Sequence, residues 1–262
     1  MCDVDGTLLN DEGFITPKTI EAIRKLRTKG ILFGLCTGRD VHSVHDLLDY
    51  WGLANMVDAI AGTVGAEICD LTCGVETSSY PLDGALIIEI IRHYEHMDVN
   101  FAIPYHGILY APKEDSYIQM LAKADHLPYQ VVDFDSFLQT PKPKVMIVCD
   151  KDDMEAVIEH SKSFDHPNYT CASLKTASVL YEYMDPRISK THGLEQILAL
   201  HEWTMENLCT FGDADNDYDM TLHAGIGVVM ENGSEKTKSV VNALCDDNNH
   251  DGIAAFLNTY LL

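Results

Sequence analysis

Met1-Cys2-Asp3-Val4-Asp5-Gly6-Thr7 opens the chain with two carboxylates one residue apart, then a glycine and a hydroxyl. If Asp3 ends a strand, Asp3 and Asp5 project in the same sense, because side-chain direction repeats every two residues. Both then face one reacting group, as a phosphoryl-transfer nucleophile and its proton donor would, and Gly6 lets the backbone turn away beyond them. An acidic surface turn capped by its own side chains accounts for these seven residues equally well. The rest of the chain decides.

Working outward, Thr16-Pro17 supplies an N-cap and a first-turn proline, and Ile20, Ile23 and Leu26 follow at helical spacing until Gly30. The apolar run 31–36 reads as a strand buried on both faces of a parallel sheet and ends at Thr37-Gly38-Arg39. Asp40 caps a helix marked by Val41, Val44, Leu47 and Leu48, and 57–61 is the next strand. Alternation of strand and helix predicts a parallel α/β sheet, whose ligands gather at the carboxyl ends of the strands. Asp3, Asp5 and Thr37 all fall at such ends.

Between 81 and 183 the texture changes. Helices are expected near 83–97, 114–124 and 152–164, with strands near 99–104, 108–111, 144–148, 169–173 and 179–184, hairpin-like pairs among them. This is an inserted α+β module of domain size. The parallel pattern resumes with a helix at 192–201, strand 208–211, the acidic run Gly212-Asp213-Ala214-Asp215-Asn216-Asp217, strand 226–230, and helices at 235–244 and 252–261.

Of 262 residues, 46% are hydrophobic and the mean hydropathy is −0.06, values of a folded, soluble chain. Its net charge of −23 repels nucleic acid and anionic membrane surfaces, so neither is expected as a partner. No apolar run approaches the ~20 residues of a membrane span, and no basic and apolar leader opens the chain. A cytoplasmic location is expected, with the eight cysteines reduced. Cys69 and Cys73 come nearest to a metal-ligand spacing, but no second pair or neighbouring histidine completes a four-ligand set, and they read as structural. The Tyr105-His106 pair reads as a hairpin turn, at least as readily exposed as in contact with substrate.

Phosphoryl transfer to a carboxylate sets anion against anion, so the site needs a divalent cation and fixed donors around the transferred oxygens. Asp3, Asp213 and Asp217 offer hard oxygen ligands suited to Mg²⁺. Thr37 can donate its hydroxyl to a phosphate oxygen, and Lys190 can set its ammonium against phosphate and nucleophile, with Arg39 a weaker candidate. Asp5 would protonate the leaving alkoxide and then deprotonate water, a task for which crowded anionic surroundings should raise its pKa. Asp215 and Asp219 read as solvated or helix-capping.

Asp3-Val4-Asp5-Gly6-Thr7, Thr37-Gly38-Arg39, Ser189-Lys190 and 212–217, in this order, resemble the four motifs of haloacid dehalogenase superfamily phosphatases. The insertion between the second and third motifs is similar to the α/β cap of the Cof-type, subfamily IIB members, and 224–230 and 248–252 resemble their C-terminal pattern. The resemblance implies a Rossmann-like core of residues 1–80 and 184–262, with a cap of 81–183 acting as a substrate lid. It implies Asp3 as nucleophile, Asp5 as acid/base with its backbone carbonyl on Mg²⁺, and Asp213 as a direct ligand, with Asn216 and Asp217 completing the metal shell or the layer behind it. Thr37, Gly38, Arg39 and Lys190 would bind the phosphate of a small phosphorylated metabolite, sugar phosphates being the leading class. A phosphomutase or phosphotransferase using the same aspartyl-phosphate is the first alternative. A non-enzymatic phosphometabolite-binding protein is the second.

Two features depart from that family. Only Met1 and Cys2 precede the nucleophile, where several apolar residues usually build the central strand, so either the start is truncated or the strand is stunted, and core packing and nucleophile positioning are expected to suffer. Gly62-Thr63-Val64-Gly65-Ala66 stands where Cof-type proteins typically carry Asn-Gly-Ala, which replaces a polar side chain by Val64.

Overall fold

A computed structural model describes residues 1–262 and divides them into two units, Met1–Thr77 with Ser189–Leu262, and Ser78–Ile188. In the first unit, α1 (Pro17–Thr28) starts at Thr16, whose side chain accepts the Thr19 N–H, and it buries Ala22, Ile23 and Leu26. β1 (Gly34–Cys36) and β2 (Ala59–Gly62) pair in parallel, and α2 (Val41–Leu47) between them is capped by Asp40, which accepts from the Ser43 N–H at 3.2 Å. β3 (Glu67–Asp70) runs antiparallel to β2, and β4 (Val75–Ser78) forms the edge beyond it. Neither strand was expected from sequence, because four-residue segments around a Thr-Cys-Gly turn carry too little alternation to register.

The second unit holds α3 (Gly84–His93), β5 (Asn100–Tyr105), β6 (Ile108–Ala111), α4 (Ser116–Asp125), β7 (Tyr129–Val131), α5 (Phe134–Phe137), β8 (Val145–Val148), α6 (Met154–Ser161), β9 (Ala172–Ala177) and β10 (Leu180–Met184). Its sheet runs β7-β6-β5-β8-β10-β9, and all but the β6–β7 pair are antiparallel. Helices on an antiparallel sheet are the α+β texture expected of the insertion. His106 and Gly107, at φ +51° and +75°, make the two-residue hairpin turn between β5 and β6, and His106 is exposed there.

The first unit resumes with α7 (Lys190–Leu200), β11 (Cys209–Gly212), α8 (Tyr218–His223), β12 (Ile226–Met230), α9 (Glu235–Lys238), β13 (Ala243–Cys245) and α10 (Gly252–Tyr260). The helix expected over 235–244 is therefore only four residues long. Asn242 draws the rest into the sheet, its N–H donating to Gly227 O at 3.0 Å and its side-chain oxygen accepting from the Gly227 N–H at 2.7 Å. β11, β12 and β13 are mutually parallel.

Met1–Asp3 join this half of the sheet to the other. Cys2 bridges Leu35 and Phe211, parallel to both, with Cys2 N–H donating to Gly34 O at 2.9 Å and Asp3 N–H to Phe211 O at 2.9 Å. Between β1 and β11 the chain thus pairs as an isolated bridge at Cys2. β1 spans three residues where six were expected. Beside Met1 lies a cavity of about 410 Å³ lined by Leu26, Phe33, Leu194, Leu198, Phe211 and Leu257.

Candidate active site

Four segments end at the same edge of the sheet. Asp3 follows Cys2, Thr37 follows β1, Thr63 follows β2 and Asp213 follows β11. Just past Asp3, residues 4–8 close one wide turn, with Leu9 N–H donating to Val4 O at 2.9 Å and Gly6 at φ +82°. Gly6 is dictated twice over. Its φ lies where side chains are rarely tolerated, and a Cβ there would stand 2.6 Å from Asp213 Oδ2.

Lys190 opens α7, whose N-cap Ser189 accepts the His192 N–H. Its ammonium is fully buried and donates to Asp3 Oδ1 and, at 2.6 Å, to Asp217 Oδ1. The other Asp217 oxygen accepts the N–H groups of Asp213 and Ala214, both at 2.9 Å, which folds the acidic run into a tight loop. Thr7 donates its hydroxyl to Asp213 Oδ1 at 2.6 Å. Oxygens of Asp3, Asp213 and Asp217 come within 4.8 Å of one another. Acids from positions 3, 213 and 217 and one lysine therefore meet at one point.

Burial is the largest influence on Asp3, Asp213 and Lys190. It pushes Asp3 well above the usual carboxylate range, Lys190 opposes that shift, and Asp217 and Asp213 add to it. Asp213 is raised to about 6 by burial, the Thr7 hydrogen bond working against the shift and Asp217 with it. Burial alone would lower Lys190, but Asp217 and Asp3 outweigh it and hold the ammonium above its ordinary value. Cys2 and Cys36 flank the cluster and are fully buried. Burial lifts the Cys36 thiol to about 12 and the Cys2 thiol well above its usual value.

Three carboxylates against one ammonium leave an excess of buried negative charge, which a hard divalent cation neutralises. Asn216 Oδ1 adds a buried oxygen with no hydrogen-bond partner. The donor set thus fits a cation that prefers oxygen ligands.

Asp5 differs from expectation. Its carboxylate is 56% exposed and gripped by Arg39, with Nε and Nη2 each 2.9 Å from an oxygen, so a cation stands where crowding by anions was expected. Arg39, expected on the substrate phosphate, is turned to Asp5 instead. Two oppositely charged side chains at neighbouring strand ends pair through two parallel hydrogen bonds. Thr37 is buried, and its hydroxyl accepts the Arg39 N–H at 3.2 Å, leaving the hydroxyl hydrogen to donate. Gly38 has open space, the nearest atom to a built Cβ being a Val64 methyl at 4.0 Å.

Val64 itself sits at φ +57°, where a β-branched residue is strained, and its N–H donates to Thr37 O at 2.9 Å. The departure seen in sequence is thus also a backbone strain next to Thr37. Asp215 accepts from Ser234 Oγ at 2.6 Å and lies 3.8 Å from Lys236, while Asp219 accepts from Ser189 Oγ at 3.2 Å, outside the carboxylate cluster. Two residues went unassigned from sequence. Thr7 was quoted in the opening stretch without a role, and Asn232, whose Nδ2 donates to Gly6 O at 2.8 Å, had its position just past β12 as a signal.

A model of haloacid dehalogenase-like hydrolases matches residues 1–257, and the chain belongs to that family. It is an α/β enzyme of the hydrolase class. The pyridoxal phosphate phosphatase YbhA of Escherichia coli is 27% identical, the match covering 99% of this chain and 97% of that one. The 5-amino-6-(5-phospho-D-ribitylamino)uracil phosphatase YitU of Bacillus subtilis is 26% identical over 98% of this chain and 95% of its own. In fold the chain is similar to a haloacid dehalogenase-like hydrolase from Bacteroides thetaiotaomicron, with a TM-score of 0.87 at 22% identity over 98% of this chain and 97% of that one. A subclass IIB sugar phosphatase superposes with a TM-score of 0.80 at 19% identity, covering 99% and 97% of the two chains. No helix is long and apolar enough to cross a membrane.

Proposed function

We propose that this enzyme is a Mg²⁺-dependent phosphatase of small phosphorylated metabolites, sugar phosphates first among them, working in the cytoplasm through an aspartyl-phosphate on Asp3. The observation that carries the proposal is the buried Asp3 carboxylate held by Lys190 on one oxygen, with Asp213 and Asp217 clustered around it. The curated relatives named as phosphatases support it.

Asp3, the Asp5 backbone carbonyl and Asp213, with Asn216 and Asp217 around them, would hold the Mg²⁺. When bound, the ion neutralises phosphate charge that would otherwise repel the nucleophile. Lys190 keeps one Asp3 oxygen fixed, so the other is free to attack phosphorus. Thr37 donates its hydroxyl to a phosphoryl oxygen, and the Gly38 backbone approaches without a side chain in the way. Arg39 exchanges Asp5 for the incoming phosphate, and the Asp5 carboxylate so released takes a proton from solvent and passes it to the leaving alkoxide. With that proton gone, Asp5 takes one from the water that attacks the aspartyl-phosphate, and inorganic phosphate departs with Asp3 regenerated. Residues 81–183, as a lid, would exclude water and select the organic part of the substrate.

Phosphate release from a generic monoester should require Mg²⁺ and vanish in Asp3→Asn. Turnover persisting in that variant removes Asp3 from the nucleophile's role, and transfer of the phosphoryl group to a second sugar hydroxyl, with none released to solution, replaces the phosphatase by a mutase.

A further inference from the structure

The spacing of Cys69 and Cys73 offers no ligand set because no histidine stands near them in the chain. Folding supplies one. His201 follows α7, and its Nε2 lies 2.6 Å from Asp70 Oδ2 and 4.0 Å from Cys73 Sγ, with all three donor atoms within 4.8 Å of one another. Far from being core filler, Cys73 is exposed.

The donors are held from two directions. Asp70 ends β3 and is fully buried, and its Oδ1 accepts from Thr72 N–H at 2.9 Å, Thr72 Oγ1 at 2.7 Å and Cys73 N–H at 2.8 Å. Those bonds fix the turn that presents Cys73 and leave Oδ2 pointing at His201. The His201 ring is steadied by stacking on Trp203, with centroids 4.6 Å apart. A carboxylate, a thiol and an imidazole thus converge from segments 131 residues apart in sequence.

We infer that Asp70, Cys73 and His201 form a second metal site, one for a borderline-soft divalent cation of the Zn²⁺ type. Donor chemistry separates it from the Asp3 cluster, since Mg²⁺ takes hard oxygens while thiolate and imidazole select zinc and its neighbours. Bonds of about 2.3 Å to sulfur and about 2.0–2.2 Å to nitrogen and oxygen need only small side-chain adjustments from these separations. Three protein ligands leave a fourth position, which water fills on the exposed Cys73 side. Binding expels the thiol proton and the proton between His201 and Asp70. The ion fastens the turn after β3 to the far end of α7, roughly 16 Å of helix from Lys190 at the rise of an α-helix.

Co²⁺ titration of the whole protein, stripped by a chelator and kept in excess Mg²⁺, reads the site directly. Expected is one equivalent with a sulfur-to-cobalt charge-transfer band in the near ultraviolet, displaced by Zn²⁺, lost in Cys73→Ser and His201→Ala, and retained in Cys69→Ser. Zn²⁺ should raise the Tm of the parent protein and not that of Cys73→Ser, which keeps its Mg²⁺-dependent phosphate release. No band at saturating Co²⁺, or a band that survives Cys73→Ser, overturns the assignment.

Discussion

Lys190 and Lys144 are both buried and both bond a carboxylate, yet they keep different company. Lys144 Nζ donates to Glu182 Oε2 at 2.9 Å, and the other Glu182 oxygen accepts from Thr176 Oγ1 at 2.9 Å, so one cation meets one acid and both oxygens of that acid are filled. Lys190 faces Asp3 and Asp217 directly, with Asp213 beside them. Burial alone therefore does not distinguish the two lysines. What sets the first unit's cluster apart is unbalanced charge, which adds to burial in raising Asp3 and Asp213 and suits a cation.

Breaking the closed pair should have the largest effect on folding. Lys144→Met leaves Glu182 buried and uncompensated, at a cost of about 3–5 kcal/mol in denaturant unfolding, while Lys144→Met with Glu182→Leu recovers most of it. Activity corrected for folded protein should not change in either. Lys190→Met, which also leaves buried acids uncompensated, should in addition lose about 10²–10³-fold in kcat per folded protein, as when one charge-stabilising donor is removed. Equal kcat losses from the two lysines would erase the distinction between them.

The anchoring of Asp3 sharpens the comparison next. Adding four apolar residues ahead of Met1 should extend the bridged segment at Cys2 into the adjoining cavity, and burying even one or two of their side chains is worth roughly 2–3 kcal/mol. A thermal scan should show a rise of several degrees, and an unchanged Tm would mean that the cavity does not accept a strand.

The smallest effect is a pH dependence. Folded Asp213, raised to about 6, holds its proton more tightly than the unfolded chain with its value near 3.8. Its contribution to stability is thus complete below 3.8 and lost as pH rises through about 6. A cation must displace that proton, so stabilisation by Mg²⁺ runs the other way. At ten times its Kd above pH 7, Mg²⁺ adds about 1.4 kcal/mol, falling by about 1 kcal/mol near pH 5, a difference of a few degrees in Tm. A Mg²⁺-induced shift equal at both pH values would deny Asp213 a place on the metal.

The strand ends were legible because the chemistry there sits in contiguous runs, so Asp3, Thr37 and Asp213 could be placed from alternation of strand and helix alone. Lys190 depended on motif order, since nothing local distinguishes it from a solvated lysine at a helix start. The Asp5–Arg39 pair escaped because it depends on which rotamers meet across neighbouring loops. His201 beside Asp70 was invisible to any spacing rule, the two being far apart in the chain. β13 was lost to a helical pattern because Asn242 makes its decisive bonds to Gly227, on another strand.

Cys2, next to the proposed nucleophile in the chain, and Cys36, at the end of β1, are fully buried and carry thiols that stay protonated at neutral pH. Peroxide reacts with thiolates, and neither sulfur presents one. Dephosphorylation by this protein should therefore continue under oxidative conditions that inactivate enzymes relying on a cysteine nucleophile.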